Sequence, residues 1–355
     1  MNGIRFSHLW PGVPLALGSA ILFGATAPLS KILLDQVDPQ LLAGLLYLGA
    51  GLGLSAVHLA RQAIGIPAPE ASLRTRDLPW LAAVILFGGV LGPVFLMLGL
   101  NLTDAASGSL LLNLEGLATM GIAWIVFREN IDCRLLLGAF AILSGAVVLS
   151  WEGKGVSIDL GAAFIAVACL AWGIDNNLTR KLSSSDPVQI SLVKGLAAGA
   201  VNVVIALIRG AVIPELSYLS ASAVLGFLGV GVSLAMFVLA LRHLGSARTG
   251  AYFSLAPFVG AIVAIAFLQQ PITVKLIAAG ILMAIGLWLH LAERHAHEHE
   301  HEQLEHDHNH VHDAHHQHKH DGDVTEPHTH PHRHAPLRHR HAHYPDLHHR
   351  HEHGR

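Results

Sequence analysis

Ten mostly apolar stretches constrain this chain more than any other feature, because each is long enough to cross the roughly 30 Å hydrocarbon layer of a bilayer as a helix. They fall at about 14–34, 40–60, 79–99, 105–127, 134–151, 160–180, 188–208, 220–241, 248–268 and 273–291. The composition agrees: 52% of residues are hydrophobic and 13% charged, against about 25% charged in a soluble globular chain. The 35 glycines follow no collagen period and lie largely inside the apolar runs, where small residues let helices approach closely. Ala25-Thr26-Ala27 imitates a signal-peptide cleavage site. Pro28 follows it directly and the segment has a counterpart later in the chain, so it is expected to be a retained first span. Cys133, expected in a short loop, and Cys169, within a helix, form neither a disulfide framework nor a CxxC metal site.

The chain resembles itself. Gly24-Ala25-Thr26-Ala27-Pro28-Leu29-Ser30-Lys31 aligns with Gly173-Ile174-Asp175-Asn176-Asn177-Leu178-Thr179-Arg180, and each is followed by Asp-Pro, at Asp38-Pro39 and Asp186-Pro187. Asn113-Leu114-Glu115-Gly116 falls on Ser254-Leu255-Ala256-Pro257, Ile131 on Ile272, Arg134 on Lys275 and Gly145 on Gly286. Five helices per copy is an odd number, so the second copy must be inverted in the membrane, the construction of many secondary transporters. The expected fold is therefore all-α and integral to the membrane, with ten transmembrane helices as two inverted five-helix repeats. Residues 1–151 form the first repeat, 152–291 the second and 292–355 a disordered tail.

Lys and Arg near helix ends set orientation. One side would hold Arg5, Arg61, Arg74, Arg76, Arg128, Arg134, Arg180, Lys181, Arg242, Arg248 and Arg294, and the other only Lys31, Lys154, Arg209 and Lys275. The expectation is a multi-pass protein of the cytoplasmic (inner) membrane with both termini cytoplasmic.

Polar groups inside the helices need a reason to be there. Asp175 sits about one and a half turns, or roughly 7 Å, inside the edge marked by Arg180 and Lys181. A charge at mid-helix costs about 2.5 to 3.5 kcal/mol on insertion scales. Lys194 reaches a similar depth on the next helix, so a structural Asp175–Lys194 ion pair competes with a substrate-facing role. Glu115, halfway along the fourth helix, is the best single candidate: a carboxyl able to titrate there suits a proton-coupled carrier or a cation site, against the bland alternative of a permanently protonated acid. Asn113 is two residues away and points to a different face. Asn176 and Asn177 can act as interhelical glue worth about 0.6 kcal/mol each. Among aromatic residues, which are more often packing than cavity lining, only Tyr252 joins the candidate cavity set.

From His290 onward the chain holds 24 of its 27 histidines and almost no aliphatic residues, so it cannot bury a core. His295, His297, His299, His301, His306, His308, His310, His328, His330, His332 and His334 offer imidazoles every second residue within their runs. Imidazole suits Zn, Ni, Cu and Co. A flexible chain with no fixed geometry fits buffering or sensing of metal, unless the segment is only a charged solubility tail.

Two blocks carry a resemblance to a known family: Asn113-Leu114-Glu115-Gly116 running on to Ala123-Trp124-Ile125-Val126-Phe127-Arg128-Glu129-Asn130, and Trp172-Gly173 through Arg180-Lys181 with Asp186-Pro187. The chain resembles the EamA family of the drug/metabolite transporter superfamily over about residues 12–291. That resemblance implies a ten-helix carrier with a central cavity, working by alternating access and often exporting. Members move amino acids, metabolites, drugs or nucleotide sugars. The tail lies outside the family domain.

The expected function is a proton-coupled exporter whose preferred substrate is a transition metal such as Ni, Co or Zn, collected by the tail. The alternatives are an exporter of an organic metabolite or amino acid whose tail senses metal, and a metal-binding membrane protein that transports nothing. No cofactor is required, and the tail offers a place for Ni, Co or Zn to bind. The partners are the lipid bilayer and a small solute or metal ion, with no nucleic acid and a homodimer left open. An enzyme is the weakest reading, since the helices hold no nucleophile motif or closed metal site.

Overall fold

The computed structural model describes residues 11–65, 73, 75–127, 133–151, 159–179 and 186–291, and the backbone of four short tail segments. Ten helices in it are long and apolar enough to span a membrane. They are α1 (Gly12–Leu33), α2 (Pro39–Ala63), α3 (Leu78–Leu102), α4 (Ala105–Val126), α5 (Cys133–Ser150), α6 (Leu160–Thr179), α7 (Val188–Ile208), α8 (Leu216–Ala240), α9 (Thr249–Leu268) and α10 (Val274–Leu291). Ser233–Phe253 is helical on both sides of the α8–α9 connection, and the chain folds back within it, since the Phe237 and Phe253 rings lie 4.9 Å apart. Large apolar side chains such as Phe140, Ile208, Phe267 and Trp288 lie exposed on the outside, where acyl chains rather than water solvate them.

Both Asp-Pro pairs start helices by one mechanism. Asp38 accepts hydrogen bonds from the amides of Gln40 (2.9 Å) and Leu41 (3.0 Å), and Asp186 accepts one from Val188 (2.8 Å). The proline that follows each needs no partner for a missing N–H.

Glycines set the helix crossings. A β-carbon at Gly44 would meet the Val203 amide nitrogen at 2.8 Å, one at Gly199 the Leu48 nitrogen at 2.5 Å, and one at Gly51 the Leu196 nitrogen at 2.6 Å. Contact positions rise along α2 as they fall along α7, so these two helices cross antiparallel with backbones in contact. α5 and α10 do likewise, with Gly138 against Gly286 and Gly145 against Ala279 and Met283.

Two irregularities recur. α3 contains a π-helical turn at Ile85–Leu91 and α8 one at Gly226–Val232, separated by the same spacing that aligns Glu115 with Ala256. α4 is broken between Leu111 and Leu114, and α9 between Phe253 and Ala256. At the breaks Asn113 donates to the Leu110 carbonyl (2.8 Å) and Ser254 to that of Ala251 (2.8 Å).

Beyond α10, His295–Glu300 pairs antiparallel with Arg338–His343, and Glu305–His310 with His328–Arg333. Isolated two-stranded ladders are marginal in water, so this pairing gives the tail no core of its own. The remaining tail residues, including His301 and His334, and the expected disorder of that part of the chain, fall outside the described residues.

Candidate functional site

The polar centre is built where α2, α3, α4, α6 and α7 meet. A π-turn widens a helix by one residue and loosens the i→i−4 ladder. In α3 two buried carbonyls, those of Gly88 and Gly89, take side-chain donors. The Gly88 carbonyl accepts from the Tyr47 hydroxyl (2.8 Å) and from the Trp172 indole N–H (3.0 Å), and the Gly89 carbonyl from the Asn202 amide (3.2 Å).

Against this turn lies the ion pair of Lys194 with Asp175. A β-carbon at Gly88 would run into the Asp175 carboxylate, and one at Gly92 into the Trp172 ring at 2.6 Å. Glycine at these two places is what admits the charged pair and the indole. Asp175 is 5% exposed, and its second oxygen accepts a long 3.4 Å bond from the Thr179 hydroxyl.

One residue further along α6, about 100° around it, the second polar group appears. The Asn176 amide donates to a Glu115 carboxylate oxygen (3.0 Å) and to the Thr119 hydroxyl (3.1 Å). The Asn177 amide ties α6 to α4 by donating to the Thr119 carbonyl (3.0 Å) and also bonds Gly173 of its own helix (2.8 Å). Glu115 stands in the first turn of the second half of α4, where the unpaired N–H groups of a helix start favour a carboxylate. It is partly buried and Asn176 exposed, although both are within the membrane-spanning length.

The structure thus brings together Glu115, Asp175, Asn176, Asn177 and Lys194 of the sequence candidates, and places two elsewhere. Asn113 is buried at the break in α4, bonded to its own helix and 3.8 Å from the Met283 sulfur. Tyr252 packs beside Ala16, Ala240 and Leu244. Arg180 and Lys181, which marked the membrane edge, lie outside the described residues, and of the tail from His295 onward only the backbone of four segments is described. Sequence reasoning missed Tyr47, Thr119 and Asn202. Their signal was a polar residue inside an apolar run, which Tyr and Thr give too weakly to stand out.

A cavity of about 330 Å³ lies apart from this centre, among Thr103, Asp104, Ser107, Asp159, Thr273 and Lys275. Its acids are engaged: Asp159 accepts from the Thr103 hydroxyl (3.1 Å) and the Gly161 amide (3.0 Å), and Asp104 caps α4 through Ser107 (2.8 Å).

Ten apolar helices enclosing a cluster of acids, amides and one ammonium define a multi-pass membrane transporter. The chain belongs to the EamA-like transporter family, which its residues 10–151 and 159–292 each match. It is similar to an uncharacterized transporter of Methanothermobacter thermautotrophicus, 29% identical over 304 residues covering 81% of this chain and 88% of that protein. The uncharacterized transporter YyaM of Bacillus subtilis is 23% identical over 77% of this chain and 90% of its own length. The uncharacterized inner membrane transporter YedA of Escherichia coli K12 is 22% identical over 72% and 82%. One solved crystal structure superposes with a TM-score of 0.58 over 79% of this chain and 95% of the other, at 20% identity, a likeness of fold alone.

Proposed function

We propose that this chain is a secondary active exporter of the cytoplasmic membrane that exchanges protons for a small organic solute carrying one positive charge, such as an amine, with Glu115 as the exchanging acid. Two inverted repeats, residues 1–151 and 152–291, with both termini cytoplasmic and the tail following, make up its organisation. The antiparallel crossings of α2 with α7 and of α5 with α10, each between equivalent helices of the two copies, support the inversion.

The observation that carries the substrate class is a charge count. Lys194 neutralises Asp175, which leaves Glu115, held by Asn176, as the one acid of the cluster without a cationic partner among the described residues. A proton or a singly charged ammonium balances it, and either in turn makes exchange electrically sensible in a low-dielectric site. A divalent ion would leave a net positive charge beside Lys194. Among the described residues no three His, Cys, Asp or Glu side chains gather to hold a metal ion.

Export of Ni, Co or Zn, the substrate the sequence favours, keeps one support, the tail: the β-register sets His306 opposite His332, His308 opposite His330 and His310 opposite His328. Proteoliposome flux separates the readings. With a panel of organic amines, amino acids and Ni, Co and Zn salts, uptake or exchange of an amine that persists after deletion of residues 296–355 is expected. Metal flux lost on that deletion, with no amine or amino acid moved, would sink the proposal. Tight metal binding with no flux of any kind would leave only a metal-binding membrane protein.

A further inference from the structure

The histidine-rich tail is a motif that exchange at Glu115 leaves unused, and its register carries information that its composition does not. His295–Glu300 lies antiparallel to Arg338–His343, and inside that pair Glu305–His310 lies antiparallel to His328–Arg333. Both ladders keep one register: counting inward from His295 opposite His343 arrives at His310 opposite His328 without a residue gained or lost on either side.

Alternate residues of a strand share a face, so each ladder has two faces of unlike composition. In the outer ladder one face holds only histidine, with His295, His297 and His299 opposite His343, His341 and His339. The other face holds none. It sets Glu298 opposite Arg340 and Glu300 opposite Arg338, with Ala296 opposite Ala342 at the end. The inner ladder repeats the plan, with His306, His308 and His310 paired with histidines on one face and Glu305 opposite Arg333 on the other.

The two faces do different things. Histidine at every second position meets histidine in many registers, so that face cannot choose among them. The charged face can. Sliding one strand by two residues keeps histidine opposite histidine but leaves at most two opposite-charge pairs among the described residues, against the three of the observed register. Each such pair adds little, and a two-stranded ladder without a core is marginal in water, so charge selects the register without holding it. Two neighbouring His–His pairs gather four histidines in one patch, where directly opposite positions are about 4.5–5.5 Å apart and diagonal ones about 7–8 Å. Four donors complete a closed tetrahedral site, and a nitrogen-only set suits Zn and its late transition-metal neighbours.

We propose that the tail is a metal-closed clasp: each ladder takes one zinc-class divalent ion on its histidine face, and the Glu–Arg face fixes which residues close on which. The ligand set comes together only as the hairpin closes, so the binding free energy of the ion is the folding free energy of the clasp. Metal then holds residues 338–343 beside the segment that follows α10, and its removal releases them. His301 and His334, which fall between the ladders in sequence and outside the described residues, are not in the set. The clasp does not depend on Glu115 and stands even if the chain carries no cargo.

The test is a titration of Zn(II) into the purified full chain in detergent, in competition with a chromophoric chelator. Two tightly bound ions per chain are expected, and none bound overturns the clasp. Glu298→Arg with Glu300→Arg sets like charges opposite each other and touches no histidine, so it should weaken one of the two ions about tenfold. Adding Arg338→Glu and Arg340→Glu restores opposite charges in register and should recover the affinity. Adding Arg350→Glu and Arg355→Glu instead restores the same net charge off register and should not. Equal affinity in all four forms, or equal recovery by both compensations, would leave a string of histidines that binds metal without order. As a second count, His306→Asn, His308→Asn and His310→Asn together should remove one ion, while His312→Asn, His315→Asn and His316→Asn remove none; equal losses contradict the clasp. Zinc binding and amine flux are read separately, so the failure of one leaves the other standing.

Discussion

The π-turns of α3 and α8 occupy the same position in the two halves of the chain, yet one is held by charge and hydrogen bonds and the other by packing. At Ile85–Leu91 the turn carries Tyr47, Trp172 and Asn202 on its carbonyls and the Asp175–Lys194 pair on Gly88. At Gly226–Val232 the counterpart of Gly88 is Gly229, which backs onto Thr26, and the Thr26 hydroxyl bonds the Leu22 carbonyl of its own helix (3.0 Å). Phe23 stands where the other half has Trp172. The same backbone defect has been kept twice, and the chemistry attached to it only once. Breaking the ladder and supplying glycines therefore serves the shape of the helix at both turns, while the acids and the ammonium, drawn from both halves of the chain, gather at one turn only.

The largest effect on folding should come from unbalancing the charged turn. Lys194→Met leaves Asp175 buried without its partner, which costs about 3 to 5 kcal/mol for a buried pair, toward the lower end because Lys194 is partly exposed. Adding Asp175→Asn to it should restore most of the loss, read as the unfolding midpoint in detergent. A double variant no more stable than the single one would contradict the pairing.

Gly88→Ala and Gly229→Ala sharpen the contrast on a smaller scale. Each adds a methyl group into a filled place, at about 1 to 3 kcal/mol. Thr26→Ala should relieve Gly229→Ala, since the hydroxyl is what the new methyl meets. Asp175→Asn, equal in size, should not relieve Gly88→Ala. The same unfolding midpoints decide, and relief in both halves would mean that the two turns are packed alike.

Much of this was legible in the residues. Length and hydropathy alone locate ten spans, and counting residues inward from Asp-Pro puts Lys194 level with Asp175, because depth in a helix is a matter of 1.5 Å per residue. The π-turns were not legible: a run such as Ile85-Leu86-Phe87-Gly88-Gly89 is as apolar in either helical form, and the turn recurs in α8 with no charged pair beside it. The break in α4 was hidden for a similar reason, with Asn113 the single polar residue at it and its side chain spent on the Leu110 carbonyl. Tyr252 sits on the helix expected for it but faces α1 packing, since one residue's rotation around a helix decides between cavity and core. Thr119 would have been found only by carrying the repeat alignment through the whole of α4, onto Gly260.

The central claim is that Glu115 exchanges a proton for cargo, and proton-driven flux tests it most directly. In proteoliposomes with an imposed pH gradient, exchange of an amine by the unaltered chain should follow the gradient and collapse when it is dissipated. Glu115→Gln, which keeps an oxygen for Asn176 but cannot ionise, should lower gradient-driven flux at least a hundredfold with the unfolding midpoint unchanged. Flux in Glu115→Gln equal to that of the unaltered chain, still driven by the gradient, would contradict the account.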